Sequence, residues 1–284
     1  MGKIKKGRRP FSEIALRRQV RSLTSGLPTF IIVGVFILTH AKVSLAGRPL
    51  VVDDAGPVAP GQLEIEFGLS HAHPHGGGRE QAWPVTTVAY GLIQRLEVGL
   101  NIQRVNHDRR REAAVKGFED LHLATKFSVI EETDNLPAAA FSLDVKIPTA
   151  NKSKGLSAGK FEEAMTLILS KAYAPVGLHC NLGYLLVDSP RNAKLKNRLR
   201  AGVAADYAFH PELVLVGEVF GASRAAHGEK NEAAFQIGLR YALSPRFVLD
   251  AGAGRSLRAT GASAHGTAGL TWTLDVANLL KFSE

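Results

Sequence analysis

Residues 70–79 read SHAHPHGGGR, with His71, His73 and His75 at alternating positions ahead of three glycines. Imidazole is the commonest side-chain ligand for transition metals, and two histidines two apart on a strand can share one ion. No Cys, Asp or Glu lies within the stretch to complete a ligand set. The glycines add an ordering cost that a bound ion would have to offset. The stretch reads as a solvated loop, and no metal or cofactor is expected. Nucleophilic chemistry finds no better footing. The chain holds no GxSxG, HExxH, CxxC or GxxxxGK[ST] motif. His179 is followed two residues on by Asn181, not by the Ser that a barrel phospholipase pairs with its His. Cys180 is the sole cysteine, so no intrachain disulfide exists, and it reads as a small strand residue. No enzymatic activity is expected.

A third set is larger. Glu64, Glu66, Glu97, Asp120, Lys126, Asp144, Lys146, Arg198, Arg200, Asp206, Glu218, Arg240 and Asp250 comprise eight acids and five bases. Each falls on the polar parity of an alternating stretch. Charges enclosed by a low-dielectric wall must pair or face water. Two readings stay open here: ion pairs that pack a narrow barrel, or a charged lining that sets selectivity.

The elements that carry these residues have a period of two. GQLEIEFGLS sets Leu63, Ile65, Phe67 and Leu69 against Gln62, Glu64, Glu66 and Gly68. LEVGLNIQ and DLHLATKFSV repeat the pattern. Such alternation marks strands with one apolar and one polar face. It predicts twelve strands, near 61–71, 83–92, 96–106, 117–130, 138–149, 163–173, 178–188, 197–209, 212–222, 233–243, 247–257 and 265–274. At about ten residues each they can cross a bilayer at a tilt. Short connections (IQR, ETDNLP, APVG, HPE, SPR) alternate with longer polar ones, the layout of an outer-membrane barrel. The predicted fold is all-β, a transmembrane antiparallel up-and-down barrel, since lipid cannot satisfy a free sheet edge. The apolar set faces lipid and the charged set faces the lumen.

Charge and the N-terminus agree with export. The formal net charge is +9, yet residues 1–46 hold nine Lys/Arg and one acid, leaving 26 basic and 25 acidic side chains beyond. That balance gives no support for a nucleic-acid surface. A basic stretch leads into an apolar run, Leu27 to Leu38, too short to span, then VSLA with Ser44 and Ala46 at signal-peptidase positions. The organisation read here is a signal peptide over 1–46, a periplasmic segment over 47–60 able to reach into the lumen, and a barrel over 61–284.

Taken together, RPLVVDDAGPVAPGQLEIEFG, VAYGLIQRLEVGLNIQ, GFEDLHLATKF, FSLDVKIPTA, LHCNLGYLL, LVLVGEVFG, ALSPRFVLDAGAG and TAGLTW resemble an outer-membrane family of transporters labelled for the meta-pathway of phenol degradation. The resemblance runs from Arg48 to Trp272 and implies an outer-membrane barrel that passes or binds small, often hydrophobic molecules. Its inward positions here are Asp120, Lys126, Lys146, Glu218 and Asp250. The expected function is an outer-membrane channel for a small hydrophobic or aromatic solute. The alternative is a closed structural or adhesive barrel with an ion-paired lumen and ligand-binding loops. The expected partners are outer-membrane lipid, the solute and the outer-membrane insertion machinery.

Overall fold

A computed structural model describes residues 47–109, 113–188, 195–226, 228–258 and 260–277. The signal-peptide reading over 1–46 lies outside the described residues.

The strands are β1 (Gln62–Pro74), β2 (Gly78–Ile93), β3 (Leu96–Arg109), β4 (Val115–Phe118), β5 (Leu121–Ile130), β6 (Ala138–Ile147), β7 (Glu162–Tyr173), β8 (Val176–Val187), β9 (Arg198–His210), β10 (Leu213–Ala222), β11 (Glu232–Ser244), β12 (Phe247–Ser256) and β13 (Ala262–Asp275). Except at β4 and β5, each pairs antiparallel with its neighbours in chain order. β1 also pairs with β13, from Gln62 against Asp275 to Pro74 against Ala262, which closes the sheet on itself. β4 and β5 both pair with β3 and form one interrupted stave, so the barrel has twelve. The β1–β13 seam removes the two edges that an open sheet would expose.

The side chains divide as the period of two requires. Phe67, Leu143, Ile237 and Leu249 are exposed on the outer wall. Glu64, Glu66, Asp120, Lys126, Asp206, Glu218, Arg240 and Asp250 are buried inside. This inverts a soluble fold and is stable where hydrocarbon bathes the outer face. Phe247 stacks on Trp272 across the β12–β13 pair, near the rim with the short turns, where amphipathic rings suit the lipid headgroups.

Two expectations are corrected. The stretch 70–79 is not a loop: β1 continues to Pro74 and β2 begins at Gly78, leaving a three-residue turn. Gly77 (φ 83°) and Gly78 (φ 106°) supply the left-handed backbone that this turn needs. Polar residues hid these strand ends because backbone pairing continues where no hydrocarbon demands apolar side chains. The long-loop alternation therefore fails at this hairpin. Second, the stave over 117–130 breaks at Glu119 and Asp120. Gln103 donates its side-chain amide to Glu119 there. Asp120 turns inward, where it accepts hydrogen bonds from Ala150 N–H (2.9 Å) and Ser157 Oγ (2.8 Å) and ties down the 148–161 loop.

Candidate functional site

Residues 47–60 lie inside the barrel. From Pro60, which bridges to Gly91 on β2, the segment enters at the short-turn rim and circles the inner wall. Val58 N–H donates to Glu97 on β3 (2.7 Å). Asp53 pairs with Lys126 on β5 (3.2 Å). Ala55 packs on Ala140 of β6 and Ile168 of β7, and its N–H donates to Ser170 (2.9 Å). Asn181 of β8, with its amide turned to satisfy both bonds, holds the backbone of Asp53. Val51 and Val52 donate their N–H groups to Glu218 of β10 (2.9 and 2.8 Å). Gln236 and Arg240 of β11 donate to the carbonyls of Pro49 and of Arg48 and Gly47. Arg48 closes the circuit with Asp250 on β12 (3.3 Å), Thr267 on β13 and Glu66 on β1. A segment with no secondary structure must place its backbone groups somewhere. Here the wall's carboxylates and cations take them.

The sequence shapes this seat with glycine. Gly68 and Gly269 face each other across the β1–β13 pair, and a Cβ on either would collide with the Arg48 guanidinium. Gly238 and Gly252 do the same for Pro49 across β11 and β12. Bare backbone at these four positions makes two grooves in the wall.

The thirteen charged positions separate by partner. Glu66, Glu97, Lys126, Glu218, Arg240 and Asp250 hold the segment, as above. Asp120 ties the 148–161 loop, and Lys146 pairs with Glu162 and approaches Asp120 (3.9 Å). Asp144 meets His122 (2.8 Å), and Arg198 meets Glu232 (2.8 Å). Asp206 accepts from His179 (2.7 Å). Glu64 and Arg200 have no hydrogen bond or ion pair among the described residues.

Sequence reasoning missed Arg48, Gln236 and the line Ser170–His179–Asp206. In that line the hydroxyl meets Nδ1 (2.9 Å) and the carboxylate meets Nε2 (2.7 Å). Ser170 Oγ also accepts from the N–H of Ala55 on the segment (2.9 Å). None of the three lines either chamber described next. The line anchors the segment. His71 and His73 stand together outside the wall, Nε2 to Nε2 3.0 Å. Among the described residues no third metal-ligating group joins them.

The segment divides the lumen. A chamber of about 410 Å³ lies toward the long-loop rim, lined by Arg198, Arg200, Phe220, Ala222, Glu232 and His265. A second, of about 240 Å³, lies against β1–β3 and β5, lined by Glu64, Glu66, Glu97, Asp53 and Lys126. Val51 and Val52 line both and form the partition. On the segment, burial raises the Asp54 carboxyl above the usual carboxylate range, against the opposing pull of Lys126.

Residues 46–274 match the family model described as "Putative MetA-pathway of phenol degradation". The chain belongs to this family. A comparison with curated proteins gave no match. Among solved structures, the family's fold here is similar to an outer membrane channel from Pseudomonas putida F1, at 12% identity and TM-score 0.64. That match covers 78% of this chain and 98% of the other. It is also similar to the NanC porin, at 10% identity and TM-score 0.53, over 75% of this chain and 100% of the other. The shared fold is that of an outer-membrane barrel. In this member of the family, the match begins one residue before the described lumenal segment, so segment and wall belong to one unit of sequence.

Proposed function

We propose that the protein is an outer-membrane channel for a small hydrophobic or aromatic solute, and that residues 47–60 hold it closed. Export would use residues 1–46 as a signal peptide, cleaved after Ala46. The observation that carries this reading is the nature of the obstruction. The lumen is divided by a separate run of chain, continuous with the barrel at Pro60. Its contacts are mostly hydrogen bonds and ion pairs to the wall, and only small apolar side chains, Val52, Ala55 and Val58, are buried with it. Each such bond contributes on the order of 1 kcal/mol net, because water replaces it when it breaks. Displacing the segment would expose a charged, hydrated wall, with Glu64, Glu66, Glu97, Glu218, Arg240 and Asp250 free to discriminate among solutes.

Planar-bilayer recording tests the reading. The full chain is expected to give rare, brief openings, and a variant lacking residues 47–58 a large, steady conductance. A deletion variant that inserts as an intact barrel yet passes neither ions nor solute would overturn transport and leave the closed structural barrel.

A further inference from the structure

We infer that the 410 Å³ chamber is a capture site for a small organic acid, a carboxylate on an apolar body, with Arg200 as its anchor. The inference names a solute class for the channel proposed above and rests on that reading for its role in transport. The site itself stands on four observations.

First, Arg200 is an inward-facing cation whose guanidinium has no direct contact among the described residues. It lines the chamber and makes no hydrogen bond or ion pair among the described residues. Its neighbour at the same parity, Arg198, is engaged by Glu232 (2.8 Å) and by the carbonyl of Ser223 (2.9 Å). Glu232 is thus engaged, and among the described residues the guanidinium of Arg200 keeps its donors free for a ligand. That group matches a carboxylate in a two-point fork.

Second, the backbone leaves space in front of it. Gly183 lies directly across from Arg200 on β8. A Cβ there would come within 2.9 Å of Thr166 Oγ1 and 3.7 Å of the Arg200 Cβ. Bare backbone keeps that approach open.

Third, the rest of the lining is largely apolar. Val51 and Val52 form the floor, and Phe220, Ala222 and Ala234 form a wall. The volume falls within the range of small-molecule sites, in which an apolar lining and a few polar groups are usual. An inorganic anion would leave that surface unused.

Fourth, the adjoining chamber is lined by more acidic than basic side chains. It offers Glu64, Glu66, Glu97 and Asp53 against one lysine. An acid that enters from the long-loop rim reaches Arg200 before the Val51–Val52 partition, beyond which the lining offers one lysine.

Titration calorimetry on the folded full chain in detergent tests the site without requiring conduction. The probes are benzoate, benzyl alcohol and inorganic phosphate. Benzoate is expected to bind, benzyl alcohol and phosphate at least tenfold more weakly. Arg200→Gln is expected to weaken benzoate about tenfold to a hundredfold, the worth of a charge-assisted hydrogen bond, with Arg200→Lys falling between. Should Arg200→Gln fail to fold, Phe220→Ala decides: benzoate affinity is expected to drop severalfold. Benzoate binding unchanged in either folded variant would overturn the inference, as would benzyl alcohol or phosphate equal to benzoate. Benzoate binding by a barrel whose deletion variant does not conduct would keep the site and sink the channel. Conduction by a barrel blind to benzoate would do the reverse.

Discussion

Lys126 Nζ lies 3.2 Å from Asp53 Oδ2, where a lysine of the wall meets a carboxylate of the segment that fills the barrel. The lysine side chain is 5% exposed and the aspartate 38%. The pair is therefore only partly desolvated, and Glu97 stands 3.8 Å away as a second partner.

Lys126→Met should release the segment on this side. It leaves Asp53 and Glu97 facing each other with no cation between them. A fully buried broken pair costs about 3–5 kcal/mol, and the exposure of Asp53 reduces that to about 1–3 kcal/mol. Open probability in bilayers should rise about tenfold or more, with heat-modifiable gel migration unchanged. Equal gating in wild type and variant would show that the pair does not hold the segment.

Glu218 offers a graded test. It accepts from Val51 and Val52 together. Glu218→Ala strands two backbone N–H groups and should destabilise the seated segment by about 2–4 kcal/mol, whereas Glu218→Gln keeps one acceptor and should cost less. The readout is labelling of an introduced cysteine at Val51, faster in the alanine variant than in the glutamine variant.

Gly68→Val should open the channel without touching a charge. Its side chain would occupy the groove that takes the Arg48 guanidinium. Arg48→Ala should give the same conductance phenotype, and the double variant should add nothing further, since both remove one contact.

Acidity should tighten the closure through Asp54. Its carboxyl is raised in the seated segment because burial disfavours the charged form. A raised value in the seated state means that this contribution is fully present below the ordinary value of 3.8. It is lost as pH rises through the raised one. Openings should become more frequent with rising pH, and Asp54→Asn should flatten that dependence. A wild-type profile retained in the variant would assign the effect to another group.

On the outer wall, Ile237→Lys should destabilise the barrel by about 2–4 kcal/mol in urea unfolding from lipid vesicles, since Ile237 is 58% exposed near mid-strand. The same change in a loop should do little.

The barrel was readable in the sequence because hydrocarbon imposes a strict rule: residues such as Phe67, Phe141 and Ile237 must recur at every second position. Beyond the lipid that rule lapses, and the β1–β2 hairpin around His71 and His73 therefore looked like a loop. The inward parity of Glu218 and Asp250 was equally plain, but not their partners. The partners are backbone N–H groups of Val51 and Val52, and the side chain of Arg48, which lie up to about 200 residues away. Backbone donors carry no sequence signature. Gly68, Gly238, Gly252 and Gly269 read as weak strand residues until a second piece of chain was found lying against them. Ser170, His179 and Asp206 converge from three adjacent strands, with no spacing in sequence to announce them.

The groove for Arg48 straddles the pairing of the first strand with the last. Neither half exists as a binding surface while the sheet is open, so residue 48 has nowhere to settle until β13 has found β1. The stretch that is synthesised ahead of every strand is thus the one that comes to rest last, and its arrival records that the cylinder was completed in the correct register.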